Sequence, residues 1–188
     1  MASSPGEPRA FVLVGTSGTG KTALLEALIS RGYPGFVEPV RAVLEEKLAH
    51  DGPALPAKDP RLFLDRLLSV FLSDRERALG HGGPCFFDRG LPDLIAYAGR
   101  FGVDPTSYID AAKRYRYAST VFVLPPWKEI FHQDEMRGGT YEQYEAFHAR
   151  ILSAYDHVGY QALLVPKVSL VERVAFIEGQ LHVSGESP

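Results

Sequence analysis

Gly15-Thr16-Ser17-Gly18-Thr19-Gly20-Lys21-Thr22 is the stretch of this chain whose residue types and spacing most directly specify chemistry. It fits the pattern G-x-x-x-x-G-K-[ST] at every fixed position. Glycines permit positive φ and let successive backbone N–H groups converge on phosphate oxygens. A helix starting near Lys21 aims the positive end of its dipole at the same anion. Lys21 is placed to reach the β and γ phosphates of a nucleoside triphosphate, and the Thr22 hydroxyl to ligate Mg²⁺. A glycine-rich turn with an incidental lysine is the bland alternative. The apolar strand before the motif and the amphipathic helix after it speak against that.

Two further acids stand where a parallel sheet would end, the edge at which open α/β sheets bind ligands. Glu38, in Phe36-Val37-Glu38-Pro39-Val40-Arg41, could accept a proton from a hydroxyl attacking a γ-phosphate. Arg41, one turn on, could pair with Glu38 or with substrate. The alternative is helix chemistry, a Glu before Pro favouring a helix N-terminus. Asp88, in Phe86-Phe87-Asp88-Arg89-Gly90, has the place of a Walker-B acid that holds Mg²⁺ directly or through water. Arg89 is then set to bind a polar or anionic substrate group, with Asp93 a weaker candidate on the next helix. An internal Asp–Arg pair with a capping role is the competing reading.

Trp127 to Thr140 is polar and contains Lys128, His132 and Arg137, followed by Gly138-Gly139. A closing lid could bring Arg137 onto the γ-phosphate; a solvated loop explains the composition as well. Lys113-Arg114-Tyr115-Arg116-Tyr117 interleaves cations with tyrosines. It suits a helix end whose rings cover the core better than a nucleic-acid contact. The histidines have no metal-ligand spacing, and His148, with Tyr141, Tyr144, Phe147 and Tyr155 on one helix, reads as packing.

Short apolar runs alternate with longer amphipathic stretches, the pattern of βαβ units around a parallel sheet. Strands are expected at 11–14, 35–38, 85–88, 120–124 and 162–165. Helices are expected from Lys21 to Arg31 with Gly32 as the stop, from Pro39 to His50, and over Arg61 to Leu79. Others should cover Leu91 to Arg100, Pro105 to Tyr115, Tyr141 to Val158 and Ser169 to Gly179. The prolines of Asp51 to Pro60 mark a loop. Right-handed crossovers follow by rule. One domain is expected over 10–180, with its lid near 127–140 and loose tails at 1–9 and 181–188.

Composition sets the outer limits. The 188 residues, 45% hydrophobic and 23% charged, suffice for one globular core. The formal net charge of −3 excludes a global attraction to nucleic acid or anionic membrane, so any basic site is local. The one cysteine, Cys85, cannot form a disulfide within the chain. It reads as a core residue in a reduced, cytoplasmic setting. No signal-peptide core and no membrane-spanning run is present in the sequence.

Taken together, Gly15–Thr22, Val37-Glu38-Pro39-Val40-Arg41, Phe87-Asp88-Arg89-Gly90 with Leu91 to Tyr97, Tyr115-Arg116, Asp134 with Arg137, and Gly159-Tyr160 resemble the small AAA-type ATP-binding domain related to the ribosylnicotinamide kinase domain. The resemblance runs from about Arg9 to Gly179. More distantly the chain is similar to deoxynucleoside kinases. Those pair a Glu-Pro-Val segment after the second strand, matched here by Glu38-Pro39-Val40, with a Glu-Arg-Ser segment after the third. Asp88-Arg89-Gly90 departs from the latter in two of three residues. In those kinases the matching glutamate is the base and the matching arginine supports it. The resemblance implies a three-layer α/β P-loop fold with five parallel strands in order 2-3-1-4-5, helices on both faces, and the nucleotide base near Pro166.

The leading functional expectation is transfer of the ATP γ-phosphate to a hydroxyl of a small, nucleoside-like molecule. Lys21 and Arg137 would stabilise charge, Glu38 would be the base, Thr22 and Asp88 would hold Mg²⁺, and Arg41 and Arg89 would meet substrate. ATP is favoured over GTP because the chain has no Asn-Lys-x-Asp base-reading motif, although GTP stays admissible. A nucleotide-dependent binding module with slow hydrolysis and a nucleic-acid end kinase using Lys113–Arg116 are the competing classes. A homodimer is left open.

Overall fold

The computed structural model describes residues 9–40, 43, 58–130 and 140–183. Strand β1, Ala10–Val14, is buried at all five positions and forms the centre of the sheet. Its apolar run has no polar face to offer solvent, so it needs cover on both sides. Strands β3, Cys85–Asp88, and β4, Thr120–Val123, flank it in parallel. Strand β2, Gly35–Phe36, joins β3, and β5, Gln161–Leu164, joins β4. The five-stranded order is β2-β3-β1-β4-β5, as the family resemblance implies.

Alternate residues of these strands feed two cores. Phe11, Leu13, Phe86 and Phe122 pack with Leu24, Leu25 and Leu28 of helix α1, Lys21–Ser30, and with Val174 and Ile177 of helix α6, Leu170–Val183. Val12, Val14, Phe87, Val121 and Val123 face the opposite layer. That layer is built by α2, Pro60–Leu79, α3, Leu91–Phe101, α4, Thr106–Arg114, and α5, Tyr141–His157. Helices therefore cover both faces.

Local chemistry sets the helix ends. Gly32, at φ 95, stops α1 in a left-handed turn. There its N–H bonds to the Ile29 carbonyl and the Tyr33 N–H to that of Leu28, a Schellman closure. Helix α2 starts one residue earlier than expected because the Asp59 carboxylate caps the Leu62 N–H at 2.9 Å and Pro60 takes the first position. Thr140 and Gln143 form a capping box that opens α5. Helix α6 continues to Val183, so Leu181 belongs to the buried core rather than to a tail.

Strand β2 is shorter than the expected 35–38. In register, Gly35 and Phe36 pair with Phe86 and Phe87, and Val37 would meet Asp88, after which β3 turns away at Arg89. Glu38 thus lies two residues beyond the strand rather than on it. Pro39, Val40 and Val43 are helical as expected, while the rest of the 39–50 helix and residues 51–57 lie outside the described residues. So do 1–8, 131–139 and 184–188.

Phe87 is the hinge of the second core: its ring stacks on Phe36 at 4.4 Å and meets Tyr117 edge-on at 5.2 Å. Phe87→Ala should therefore lose about 3–5 kcal/mol of stability. Urea unfolding would show this as a lower midpoint at unchanged slope, whereas a shift within error would mean that this core tolerates the cavity.

Candidate active site

The loop between β1 and α1 is shaped by glycine. Gly15 has φ 158, and a Cβ there would lie 2.7 Å from the Leu124 carbonyl oxygen and 2.9 Å from Thr19 Oγ1. Gly20 is left-handed at φ 84 and precedes α1 without a side-chain cap, and no acid stands in the first turn. The leading N–H groups of α1 are thus left for an anion. Lys21 is buried, and its Nζ donates to the Thr16 carbonyl at 2.8 Å across the loop.

Asp88 ends β3 directly beside this loop, because β1 and β3 are paired from Ala10↔Cys85 to Leu13↔Asp88. Its Oδ2 accepts from Thr22 Oγ1 at 3.2 Å, and its Oδ1 lies 3.8 Å from Lys21 Nζ. Asp88 therefore pairs with the loop, not with Arg89. Burial raises the Asp88 carboxyl above its usual range against the pull of Lys21 and Arg89. Burial, then Arg89, lowers the Lys21 ammonium. Asp88 Oδ1 is buried without a hydrogen-bond partner. A carboxylate oxygen left over beside a threonine hydroxyl fits a hard divalent cation such as Mg²⁺, which takes one or two protein oxygens and the rest from phosphate and water. Among the described residues there is no cluster of three acids, histidines or cysteines for an all-protein metal cage.

The next residue, Arg89, has a left-handed backbone at φ 75, rare for a side chain with a Cβ. It is 1% exposed. Its Nε donates to Glu38 Oε1, and one terminal nitrogen donates to the Gly15 carbonyl at 3.0 Å and to Asp93 Oδ1 at 3.2 Å. The guanidinium also lies 5.9 Å from the Tyr97 ring centroid. Burial opposes its charge, but Tyr97, Glu38, Asp93 and Asp88 outweigh it and the pKa stands well above the ordinary value. Expected at the substrate, Arg89 has its Nε and one terminal nitrogen bonded to protein acceptors. Asp93, completely buried, also accepts from the Gly90 N–H at 3.0 Å and from Tyr155 Oη at 2.6 Å. It pins α3 and α5 to the arginine.

So the structure brings together Gly15 to Thr22, Glu38, Asp88 and Arg89. Pro166 follows Val165 at the carboxyl end of β5, exposed, with its carbonyl accepting from Val168 N–H. Arg41 and Arg137 lie outside the described residues, as do His132, Asp134 and Gly138-Gly139. Of the 127–140 segment, Lys128–Ile130 forms a 3₁₀ turn. Within the basic run, Arg116 donates to the Val158 and Gly159 carbonyls and stacks on Tyr160, and Tyr117 is buried. Those two residues serve the fold, as the core-covering reading has it.

Sequence reasoning missed one neighbour of the loop. Arg173 of α6 packs its guanidinium against Gly20 and lies 5.6 Å from the Trp127 ring. Trp127 had a signal, since it follows β4 at the ligand edge; Arg173, 153 positions from Gly20, had none. His148 is packed inward, as its helix stripe predicts, but with one ring nitrogen unmatched. It is 7% exposed, its Nδ1 has no hydrogen-bond partner among the described residues, and burial, then Lys21, lowers its pKa to about 4.

A family model described as an AAA domain matches residues 10–173. No curated protein matches the chain. Among solved structures, NadR protein in complex with NR is similar over 95% of this chain and 53% of its own, at 17% identity and a TM-score of 0.65. The chain thus spans about half the length of NadR. Deoxyadenosine kinase from M. mycoides with bound dATP is similar over 92% of this chain and 99% of its own, at 19% identity and TM-score 0.51. Thymidylate kinase from Ehrlichia chaffeensis follows at 94% and 99%, with 16% identity and TM-score 0.58. These likenesses show the fold.

Two outcomes are expected from the buried groups. Arg89→Met keeps the volume but leaves Glu38 and Asp93 without their cation, and should cost about 3–5 kcal/mol in urea unfolding; Arg89→Lys should recover only part, since one ammonium cannot reach all three acceptors. His148 stays neutral in the folded chain down to about pH 4, whereas the unfolded residue takes up a proton near its ordinary 6.5. Stability should therefore fall as pH drops from 6.5 toward 4, with no contribution from this group above that window. His148→Gln should flatten the slope, and an unaltered slope would show the imidazole to be protonated in the fold.

Proposed function

The chain belongs to this AAA-domain family, and from that premise we propose that it is an ATP-dependent kinase acting on a hydroxyl of a small, nucleoside-like molecule. The observation that carries the reading is one edge of the sheet holding both halves of a phosphotransfer site. A glycine loop with Lys21, Thr22 and Asp88 supplies the phosphate half, and Glu38, oriented by Arg89, supplies the acceptor half.

In the proposed reaction the acceptor oxygen bonds to the γ-phosphorus of ATP, the bond from that phosphorus to the bridging oxygen breaks, and ADP leaves. Glu38 receives the hydroxyl proton. Its carboxylate is held by the Arg89 Nε, so it meets the hydroxyl at a fixed angle without reorganising. The N–H groups of the loop and Lys21 hold the β and γ phosphates and stabilise the charge that the transferring group spreads over its oxygens. Thr22 and Asp88 would hold Mg²⁺, which neutralises phosphate charge. Pro166 would border the nucleotide base, and Arg41 and Arg137 would add positive charge from the acceptor side and from the lid. GTP as donor is the alternative that the site chemistry admits. A cytoplasmic, monomeric or dimeric enzyme is the proposed setting.

Among the described residues, no helix is long and apolar enough to cross a membrane. Arg116, the last cation of the basic run, is engaged by the fold, which weakens the nucleic-acid alternative.

The test is transfer of the γ-phosphate from labelled ATP to a panel of nucleosides. Glu38→Gln should reduce kcat about a hundredfold or more while Mg²⁺-ATP still binds. Lys21→Ala should abolish nucleotide binding and turnover together. Unchanged turnover in Glu38→Gln would remove the proposed base, and full nucleotide affinity in Lys21→Ala would remove the phosphate site.

A further inference from the structure

Helix α5 carries a stripe of residues aimed at α3 and the ligand edge of the sheet. The Phe147 ring lies 5.2 Å from that of Tyr97, and Tyr155 Oη donates to Asp93 at 2.6 Å. His148 stands two turns before Tyr155, on the same side of the helix. Tyr155 is committed to Asp93 and Tyr97 sits under Arg89. His148 alone of this group keeps a buried ring nitrogen with no partner among the described residues.

Two charged groups act on that ring: Lys21 of the phosphate loop and Asp93 of the Arg89 cluster. The geometry agrees: His148 is the neighbour of Phe147, which packs on Tyr97, and shares its helix face with Tyr155, which bonds Asp93, so its unpartnered Nδ1 lies on the side of α5 turned to the Arg89 cluster. Burial and Lys21 keep it neutral, so it offers a donor and an acceptor rather than a charge. A neutral ring beside an ammonium is a poor phosphate ligand but a good partner for an uncharged polar group. Buried polar atoms left unmatched within a protein are rare and call for an outside partner.

We infer that His148 is an acceptor-binding residue whose free ring nitrogen hydrogen-bonds an uncharged polar group of the phosphate acceptor, a sugar hydroxyl or an amide. This rests on the kinase reading, and it makes α5, the helix that follows the 127–140 segment, a determinant of acceptor choice.

The experiment starts from the full chain with Mg²⁺-ATP and a panel of ribonucleosides and their singly deoxygenated analogues. Absence of transfer to every member by the wild-type protein overturns the kinase reading, and this inference with it. Given transfer, His148→Phe should raise KM for the best acceptor about tenfold, the loss of one hydrogen bond with its buried partner unmatched. KM for ATP and the melting temperature should stay near wild type, and His148→Gln should restore most of the loss. One deoxy analogue should be discriminated against by the wild type and not by His148→Phe. An unchanged acceptor KM, or equal discrimination by both proteins, overturns the inference while leaving the kinase intact. Should His148→Phe fail to fold, the wild type still decides. The His148 ring ¹⁵N resonances should shift when acceptor is added to protein held with a non-hydrolysable Mg²⁺-ATP analogue, and their constancy refutes the contact.

Discussion

One buried guanidinium connects the chain segments that meet at the ligand edge. Arg89 reaches Glu38 beyond β2, the Gly15 carbonyl at the mouth of the phosphate loop, and Asp93 at the start of α3. No apolar contact could fix three segments so directionally, because only a planar fork of donors matches several acceptors at once. The left-handed backbone at residue 89 is part of the same device. It turns the chain sharply after Asp88, so that adjacent residues serve opposite purposes: Asp88 faces Lys21 and Thr22, and Arg89 faces Glu38. A non-glycine residue in that conformation costs on the order of 1 kcal/mol or more, and the three bonds offset it.

What could be read from the sequence follows from what local rules govern. The phosphate loop was legible because each fixed position is dictated by nearby backbone geometry: Gly15 by the approach of Leu124, Gly20 by its left-handed turn. The strands were legible because Phe11 to Val14 and Cys85 to Phe87 are apolar without alternation, as strands covered on both faces must be. Glu38 and Asp88 were legible through the sheet-end rule. The strand order was not contained in spacing at all and came through family resemblance. The partners of Arg89 were hidden because Glu38 is 51 positions away and the choice among nearby acids depends on the fold. For the same reason Asp93 looked like a minor candidate although it anchors α3, Tyr155 and Arg89 together. The length of β2 depended on where its partner turned, a fact belonging to β3.

His148 illustrates the limit of helical periodicity. Position on an aromatic stripe correctly placed it inward but could not tell whether its nitrogens were matched. Tyr155, on the same stripe, has its hydroxyl matched by Asp93, while the His148 Nδ1 is unmatched among the described residues. Matched and unmatched polar groups thus share one helix face, separated only by which acids and bases the opposite wall presents.

The charge inventory of the site explains why phosphate recognition has to be so local. Lys21 and Arg89, with Arg173 against Gly20, stand among Glu38, Asp88 and Asp93, so three cations face three acids in their ordinary ionisation states. A polyphosphate approaching three carboxylates would be repelled by them, and more strongly in a poorly screened interior than in water. Arg89 removes Glu38 and Asp93 from that balance by direct pairing. Asp88 remains, with Lys21 at 3.8 Å and one oxygen unmatched. In the proposed chemistry Asp88, with the Thr22 hydroxyl, would hold a divalent cation through that oxygen, and the acid would then serve as a ligand rather than repel phosphate. A chain whose net charge is −3 can then select an anion by the arrangement of a few amides, one lysine, the Arg173 guanidinium beside Gly20 and one shielded acid.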